Sequence, residues 1–183
     1  MSQIDYFVDG SCIGNNVSSG SNPDTETNTC RATAYAMVKA IDGVFVQEEA
    51  ALVDTAYPQT NQYAELCAFH HAFYDIQINH SDTSVTVYSD SVYAINCISL
   101  WGPTWKAQGW KRKAGGGGKP LEHLDVIGPL VDYWLDHKDT ITLKYIAAHQ
   151  RVAVAATYPY SGNARADALA RSKANQVLMS ASE

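Results

Sequence analysis

The order of hydrophobic patterns along the chain constrains its fold more than any other feature of the sequence. Residues 3–9 alternate apolar and polar side chains and end in Asp-Gly, as a half-buried strand does. Residues 32–39 and 44–52 flank a second Asp-Gly pair, which is typical of a β-hairpin. Over residues 61–78 the apolar side chains recur every three or four positions, which is the period of an amphipathic helix. The first half therefore predicts three consecutive antiparallel strands followed by a helix.

The second half alternates extended and helical patterns. It predicts a strand over 84–88, helices over 92–100 and 124–135, a strand over 140–146 and a final helix over 164–178. With 183 residues, of which 46% are apolar, the chain is long enough for one domain with a sizeable core. We therefore predict an α/β fold in a single domain spanning 1–183, with a mixed sheet flanked by helices. Ligands of such sheets gather at the carboxyl ends of the strands.

Composition limits the expected location and partners of the protein. No apolar run approaches the roughly 20 residues that cross a bilayer, and the N-terminus lacks a signal-peptide pattern. We therefore expect no membrane contact, a chain that starts near Met1, and no targeting segment or appended module. The four cysteines are scattered without a Cys-x-x-Cys pair, which argues against a disulfide framework and a zinc site and favours a cytoplasmic location. Because the net charge is −6, any polyanionic partner must be met by local positive charge or by metal.

Positive charge is concentrated in residues 101–121. This segment has no acidic residue and interleaves cations with tryptophans: Trp101, Trp105, Lys106, Trp110, Lys111, Arg112, Lys113 and Lys119. Flat apolar rings beside lysines suit contact with the sugars, bases and phosphates of a nucleic acid. The alternative is that the tryptophans anchor a helix to the core while the lysines solvate its outer face. The glycine run at 115–118 is interpreted as a loop, because the strand and helix of a phosphate-binding loop do not flank it.

Four acidic residues lie at the predicted ends of these elements: Asp9, Glu65, Asp90 and Asp167. Each also has a purely structural explanation, as the acid of an Asp-Gly turn, as a helix N-cap, or as a first-turn acid that complements a helix dipole. Capping does not require the acids to converge, whereas all four positions are compatible with one edge of the sheet. Clustered carboxylates repel one another unless a cation neutralises them, and Mg²⁺ prefers such oxygen ligands. The pattern therefore predicts a site that binds two Mg²⁺ ions and cleaves a phosphodiester.

The local sequences around these acids resemble those of type 1 ribonuclease H, the endonuclease that cleaves the RNA strand of RNA/DNA hybrids. The resemblance covers nearly the whole chain: FVDGSCIGN contains Asp9, TNQYAEL contains Glu65, YSDSVYAINCI contains Asp90, WKAQGWKRK and KPLEHLD belong to the basic region, and AHQ and GNARADALA lie near the end. It implies the ribonuclease H-like fold, a five-stranded sheet with three antiparallel strands followed by strands parallel to the first. It also implies 5′-phosphate and 3′-hydroxyl products and two Mg²⁺ ions per site, with Mn²⁺ as a substitute.

The same resemblance implies roles for individual residues. Asp9 bridges the two metals, Glu65 and Asp90 complete the site of the leaving-group metal, and Asp167 holds the metal that activates water. His149 assists proton movement or product departure, and Asn163 helps to orient the site. The alternative for His149 is an ordinary loop histidine, but its place after a strand and before Asp167 favours the functional role.

Substrate contacts are also implied by the resemblance. Cys12, Asn15, Asn61 and Gln62 match positions that contact the minor groove of the hybrid, where 2′-hydroxyls distinguish RNA from DNA, and Thr60 matches a contact to a DNA phosphate. Residues 101–121 resemble the basic protrusion that grips the DNA strand. The chain departs from the family in an insertion over about 15–30, in Ala148 where many relatives have glycine, and in an extended His149 loop over about 149–162.

Three functions remain open. The leading prediction is a monomeric, metal-dependent endonuclease whose partner is an RNA/DNA hybrid. The second is a binding module of the same fold that has lost turnover, against which the presence of all four carboxylates argues. The third is another nuclease or a strand-transferase of this superfold, since a fold does not determine the reaction.

Overall fold

A computed structural model of the protein describes residues 2–14, 32–111 and 121–180 as a sheet with helices on both faces. The strands are β1 (Ile4–Ile13), β2 (Ala32–Ile41), β3 (Val44–Leu52), β4 (Val85–Ser89) and β5 (Ile141–Tyr145). The helices are α1 (Asn61–Asn79), α2 (Val92–Asn96), α3 (Gly102–Ala107), α4 (Leu124–His137), α5 (Val152–Ala155) and α6 (Tyr160–Ser180), with a π-helical turn at Cys97–Trp101 between α2 and α3. Within these ranges no helix is both long and apolar enough to cross a membrane.

The five strands are hydrogen-bonded in the order β3-β2-β1-β4-β5. β1 pairs antiparallel with β2, and β2 pairs antiparallel with β3. The turn between β2 and β3 is made by Asp42 and Gly43, whose φ angles are 51° and 77°. β4 lies parallel to β1, and β5 lies parallel to β4. The predicted α/β fold, with three antiparallel strands followed by strands parallel to the first, is therefore confirmed.

Alternating side chains of β1 divide the core into two layers. Tyr6 and Val8 face α1 and pack in the larger cluster with Phe69, which α4 covers from the far side. Phe7 faces the opposite way and packs with Ala166 of α6. The central strand is therefore covered on both faces, and odd-numbered positions of β1 lie on the α6 face.

Several elements differ in extent from the prediction. β1 continues four residues past Asp9, because residues 10–13 stay paired with β2. α6 begins at Tyr160, four residues before its predicted start, so Asp167 lies about two turns inside the helix. The helix predicted over 92–100 is divided between α2 and the π-helical turn, and α5 lies in the His149 loop, where we predicted no element.

Candidate active site

Three of the four predicted acids meet where β4 ends beside β1. Asp9 lies in β1, Glu65 lies in the second turn of α1, and Asp90 directly follows β4. One carboxylate oxygen of each lies within 4.8 Å of the others. Asp9 and Glu65 are almost fully buried, at 5% and 4% exposed. The fold thus brings acids from three separate elements to one point.

Gly10 lets α1 approach β1 closely enough for this contact. A Cβ atom at this position would lie 2.5 Å from the amide nitrogen of Glu65 and 2.7 Å from the carbonyl carbon of Ala64. Close-packed interiors do not tolerate such overlap with rigid backbone, so any side chain would push the helix away from the strand. The glycine after Asp9 is therefore required by the packing of α1, and it places Glu65 beside Asp9.

The structure removes the purely structural explanations for the acids. Asp9 lies inside a paired strand rather than in a turn. The N-cap of α2 is Ser91, whose Oγ accepts from the Ala94 amide at 3.2 Å, and the N-cap of α1 is Thr60, whose Oγ1 accepts from the Tyr63 amide at 3.2 Å. Neither α1 nor α6 has an acid in its first turn. A turn, a cap or a first-turn dipole contact therefore explains none of the four carboxylates.

Burial and mutual repulsion oppose ionisation of the cluster. Burial, followed by the charges of Asp90 and Asp167, raises the pKa of Asp9 to about 8. Burial, followed by the charges of Asp9 and Asp90, raises the pKa of Glu65 well above its ordinary value. Burial also raises the pKa of Asp90, although a hydrogen bond from Asn163 acts in the opposite direction. Three carboxyl groups with raised pKa values at one point need a cation if all are to be charged at neutral pH.

The ligand atoms of the cluster fit a divalent cation that prefers oxygen. Carboxylate oxygens of Asp9, Glu65 and Asp90 lie close enough to reach one ion, and the group contains no nitrogen or sulfur ligand in the described ranges. Glu65 Oε2 is buried and has no hydrogen-bond partner among the described residues. A buried carboxylate oxygen is costly unless something binds it. This is the ligand set of a hard cation rather than of zinc.

Asp167 lies beside this group rather than in it. Both of its carboxylate oxygens accept a hydrogen bond from Nη2 of Arg171, at 2.7 Å each, one turn further along α6. Its charge nevertheless raises the pKa values of Asp9 and Asp90, and it lines the same cavity as the three clustered acids. Sequence reasoning missed Arg171, although its spacing of four residues from Asp167 on a predicted helix is the signal that could have found it.

An open cavity of about 590 Å³ joins the acids to the predicted histidine. His149 lines this cavity and also a smaller one, of about 180 Å³, that Asp90 and Asn163 line as well. Its backbone is left-handed, with a φ of 52°, which is uncommon for a residue other than glycine. The charge of His149 lowers the pKa of Asp90, against the stronger effect of burial, so the imidazole lies within electrostatic reach of the cluster.

Asn163 contacts the cluster directly. It is buried in the first turn of α6, and its Nδ2 donates to Asp90 Oδ2 at 3.3 Å. Its Oδ1 is also buried and has no hydrogen-bond partner in the described part of the chain. The orienting role of Asn163 stays a prediction.

The residues predicted to contact the substrate groove and its phosphate differ in their position relative to the cavity. Asn61 lines the cavity, and Gln62 is exposed at the start of α1. Thr60 is the N-cap of that helix, so its hydroxyl already accepts a backbone hydrogen bond. Asn15, together with the insertion over 15–30, lies outside the described residues.

Cys12 qualifies the prediction, made from the cysteine spacing, that the chain has no disulfide framework. It lines the cavity and is disulfide-bonded, whereas Cys67 and Cys97 are free thiols. Sequence spacing did not reveal the bond, because a disulfide depends on the distance between two Cα atoms in the fold. The cytoplasmic location stays a prediction.

The positions of the tryptophans agree with both interpretations of the basic segment, core anchoring and nucleic-acid contact. Trp105 and Trp110 are partly buried and pack against the larger core cluster, as helix anchors would. Trp101 is 38% exposed and leaves part of its ring open to a ligand. The segment is therefore anchored to the core by two rings and presents the third.

The cations of the same segment are less free than the sequence indicates. Lys106 Nζ forms an ion pair at 2.8 Å with Asp132 of α4, so an acid distant in sequence offsets one of the positive charges. Lys111 is exposed. Arg112, Lys113 and Lys119 lie outside the described residues. Within residues 101–111, Lys111 is thus the cation placed most openly for a polyanion.

Comparison with known proteins agrees with this fold. The RNase H family model matches residues 1–175. The chain is similar to the ribonuclease H of Jannaschia sp. (strain CCS1), with 28% identity over 171 residues that cover 93% of this chain and 90% of that protein. It shares the fold of the PFV RNase H domain, with a TM-score of 0.70 and 23% identity over 96% of each chain. LC11-RNase H1 in complex with RNA/DNA hybrid has a TM-score of 0.60 and 18% identity, with 96% of this chain and 99% of that chain covered.

Together the family match and the similar ribonuclease define an enzyme of the hydrolase class, a nuclease. The chain belongs to the RNase H family. The resemblance inferred from the local sequences around the acids is thereby confirmed. The solved structures, at 23% and 18% identity, establish the fold.

Proposed function

We propose that the protein hydrolyses the RNA strand of RNA/DNA hybrids with two Mg²⁺ ions per site, for which Mn²⁺ substitutes, and leaves 5′-phosphate and 3′-hydroxyl ends. The observation that carries this proposal is the convergence of Asp9, Glu65 and Asp90 within 4.8 Å, with Asp167 on the wall of the same cavity. A protein that only bound hybrids would gain nothing from clustered negative charge beside phosphates. Membership of the RNase H family supports the reaction, and the hybrid bound to LC11-RNase H1 supports the substrate.

Each carboxylate has a place in this proposal. Asp9, Glu65 and Asp90 would hold the ion on the leaving-group side, and Asp9 with Asp167 would hold the ion on the water side. Two divalent ions would supply acidity to a bound water and charge stabilisation to the leaving oxygen. Arg171 donates to both oxygens of Asp167, so its guanidinium would compete with a cation for that carboxylate.

Two further side chains act on the cluster. The amide of Asn163 donates to Asp90 and so favours the ionised, ligand-ready form of that carboxyl group. His149 lines the cavity within electrostatic reach of Asp90, where it can pass a proton to the leaving oxygen or assist the departing product. Both residues act from the α6 side of the cavity.

The hybrid lies across the mouth of the cavity in this proposal. Asn61, on the cavity wall, and Gln62, exposed next to it, contact the minor groove, where the 2′-hydroxyls identify the RNA strand. Trp101 and Lys111 are the exposed groups of the basic segment that meet the DNA strand. Because one chain supplies all four acids, the proposed active form is a monomer.

A substrate panel tests this proposal. Purified protein with Mg²⁺ is given one sequence as RNA/DNA hybrid, as double-stranded RNA and as double-stranded DNA, with both strands labelled. We expect cleavage of the RNA strand of the hybrid alone, loss of cleavage with EDTA, and recovery with Mg²⁺ or Mn²⁺. Cleavage of duplex DNA would instead indicate another nuclease or a strand-transferase. Tight hybrid binding without cleavage would indicate a silent binding module.

His149→Ala is expected to slow cleavage without abolishing it. A positioned acid or base contributes about 10²–10⁴-fold, while the four carboxylates stay in place, so kcat should fall by about 10²-fold with little change in KM. Steady-state kinetics on the hybrid measure both constants. His71→Ala is the matched control, since His71 contacts Glu49 of β3 at 2.5 Å and does not line the cavity. A wild-type kcat for His149→Ala would remove the histidine from the mechanism.

A further inference from the structure

The loop that carries His149 is attached to the rest of the protein at its two ends. Residues 146–159 join β5 to α6. At the start of the loop, Ile146 is buried, and its amide donates to the Ser89 carbonyl at 3.0 Å. Between the ends, no residue of α5 is buried, and Val152 is 88% exposed. α5 packs on α6 without burying any of its residues, and Tyr158 fixes the far end of the loop.

A buried carboxylate of the central strand holds Tyr158. Asp5 of β1 is fully buried, and its Oδ2 accepts hydrogen bonds from Gln3 Nε2, at 2.8 Å, and from the Tyr158 hydroxyl. Asp5 Oδ1 has no hydrogen-bond partner among the described residues. Burial, followed by the hydrogen bond and the charge of Asp5, raises the pKa of Tyr158, so the hydroxyl stays protonated and donates. Because a buried carboxylate needs its donors, this bond is a strong tether.

Aromatic packing holds the ring of Tyr158 as well. The ring lies edge-on to Phe7, with centroids 5.7 Å apart, and 6.2 Å from Phe45. Phe7 also packs against Gly162, where a Cβ atom would lie 2.4 Å from a carbon of the phenylalanine ring. Tyr158 is therefore docked on the α6 face of β1 at the point where the loop becomes helix.

Short-range hydrogen bonds fold the loop on both sides of Arg151. Those within residues 151–161 include the Val154 amide to the Arg151 carbonyl at 2.8 Å, Thr157 Oγ1 to the Val154 carbonyl at 2.7 Å, and the Ser161 amide to the Thr157 carbonyl at 2.9 Å. On the other side of Arg151, Gln150 Nε2 donates to the carbonyls of Ala147 and Ala148 at 3.3 Å each. The residues on both sides of Arg151 are thus locally folded along the stretch between His149 and Tyr158.

We propose that Tyr158 is a positioning residue for His149, and that the bond from its hydroxyl to Asp5 keeps the imidazole beside Asp90. The inference rests on the proposed function, which gives His149 its task. Neither Tyr158 nor Asp5 lines either cavity that His149 lines, so both act through the loop. Without this bond the loop would keep its attachment at Ile146 and the packing of α5 on α6, would sample more positions, and would require His149 to be ordered again at each turnover.

Tyr158→Phe tests this inference, because it removes the hydroxyl and keeps the ring that packs on Phe7. We expect kcat on the hybrid to fall by about 10-fold or more, toward the value of His149→Ala, with KM within about twofold of wild type. In the His149→Ala background, the same substitution should lower kcat no further, since the residue that Tyr158 positions is gone.

Tyr6→Phe is the control for the loss of a tyrosine hydroxyl that donates to a carboxyl group, although Tyr6 is fully buried and Tyr158 is 37% exposed. The Tyr6 hydroxyl donates to Asp75 Oδ2 at 2.6 Å on the α1 face of the same strand. Its removal breaks an equivalent bond without touching the loop, so kcat should remain at the wild-type value. Circular dichroism melts of both variants establish that each is folded at the assay temperature.

Amide hydrogen exchange in the metal-free protein gives a second readout that needs no cleavage. Exchange over residues 147–157 should be at least about tenfold faster in Tyr158→Phe than in wild type, and unchanged in Tyr6→Phe. Unchanged exchange, a wild-type kcat for Tyr158→Phe, or an undiminished further loss in the His149→Ala background would each overturn the inference. If the wild-type protein cleaves no hybrid, the proposed function fails, while the exchange rates still decide whether Tyr158 holds the loop.

Discussion

Asp9→Asn is expected to abolish hybrid cleavage and, without metal, to make the folded protein more stable at alkaline pH. The Asp9 carboxylate lies within 4.8 Å of ligand oxygens of both Glu65 and Asp90 and is the member common to both proposed metal sites. An amide cannot neutralise a cation there, so the cleavage rate should fall by on the order of 10³–10⁵-fold. Single-turnover cleavage of the hybrid with Mg²⁺ measures this loss.

The gain in stability follows from the raised pKa of Asp9. The pKa moves from an ordinary 3.8 to about 8 in the fold, so the folded state holds this proton more tightly than the unfolded chain does. Its stabilising contribution is complete below the ordinary pKa and is lost as the pH rises through the folded value. The unfolding free energy of the metal-free wild type should therefore fall by about 2–4 kcal/mol across that window. In Asp9→Asn the part of this fall due to Asp9 should be absent, while the part due to Glu65 and Asp90 remains.

Urea unfolding in EDTA, at about pH 5 and about pH 9, measures the pH dependence. Asp82→Asn is the matched control, because Asp82 is exposed and outside the cluster, and it should retain both wild-type cleavage and the wild-type fall in stability. An Asp9→Asn protein with the same pH dependence as wild type would contradict the described burial and repulsion. One that still cleaved the hybrid at a similar rate would contradict the site.

Gly10→Ala is expected to damage stability and activity together. The added Cβ would lie 2.5 Å from the Glu65 amide nitrogen and 2.7 Å from the Ala64 carbonyl carbon, and both atoms belong to the backbone of a packed helix. β1 and α1 must separate to admit it, so we expect a loss of about 3 kcal/mol or more in unfolding free energy. The same movement takes Glu65 away from Asp9, so the surviving folded fraction should cleave at least about tenfold more slowly.

Gly128→Ala provides the control for adding a methyl group at a glycine. Among the described residues, a Cβ at Gly128 of α4 would meet Leu124 Cδ1 alone, at 3.9 Å, which is ordinary contact. Alanine favours helix more than glycine does, so this variant should be more stable by up to about 1 kcal/mol, with unchanged cleavage. Denaturant unfolding measures the stability of Gly10→Ala and Gly128→Ala, and hybrid cleavage measures their activity. Wild-type stability in Gly10→Ala would mean that α1 does not pack on β1 as closely as described.

Local patterns were sufficient for the sheet and for the positions of the acids along the chain. Strand and helix periods identified all five strands and the long helices, because each buries one face or both faces in the core. The predicted end of β1 at Asp9 was wrong, because we interpreted the Asp-Gly pair as a turn signal. Here Gly10 serves the close approach of α1 while the ladder with β2 continues to Ile13. The local sequence does not show which of these two uses a glycine has.

Contacts between distant segments were beyond the reach of those patterns. The tether from Tyr158 to Asp5 joins residues 153 positions apart, and the ion pair of Lys106 with Asp132 joins two helices. The charge of the basic segment therefore looked less compensated in the sequence than it is in the fold. The pairing of Asp167 with Arg171 could have been predicted from the sequence, because residues four apart on a helix face one another.

End-group analysis of the cleaved RNA tests the central claim most directly. Wild type and Asp9→Asn, purified in parallel, are incubated with Mg²⁺ and a hybrid whose RNA strand is uniformly labelled. The acid cluster predicts fragments with 5′-phosphates and with 3′-hydroxyls that a polymerase can extend, from the wild type alone. An intact hybrid with wild type, fragments that end in 3′-phosphates, or equal cleavage by Asp9→Asn would contradict a metal-dependent nuclease site built on these carboxylates.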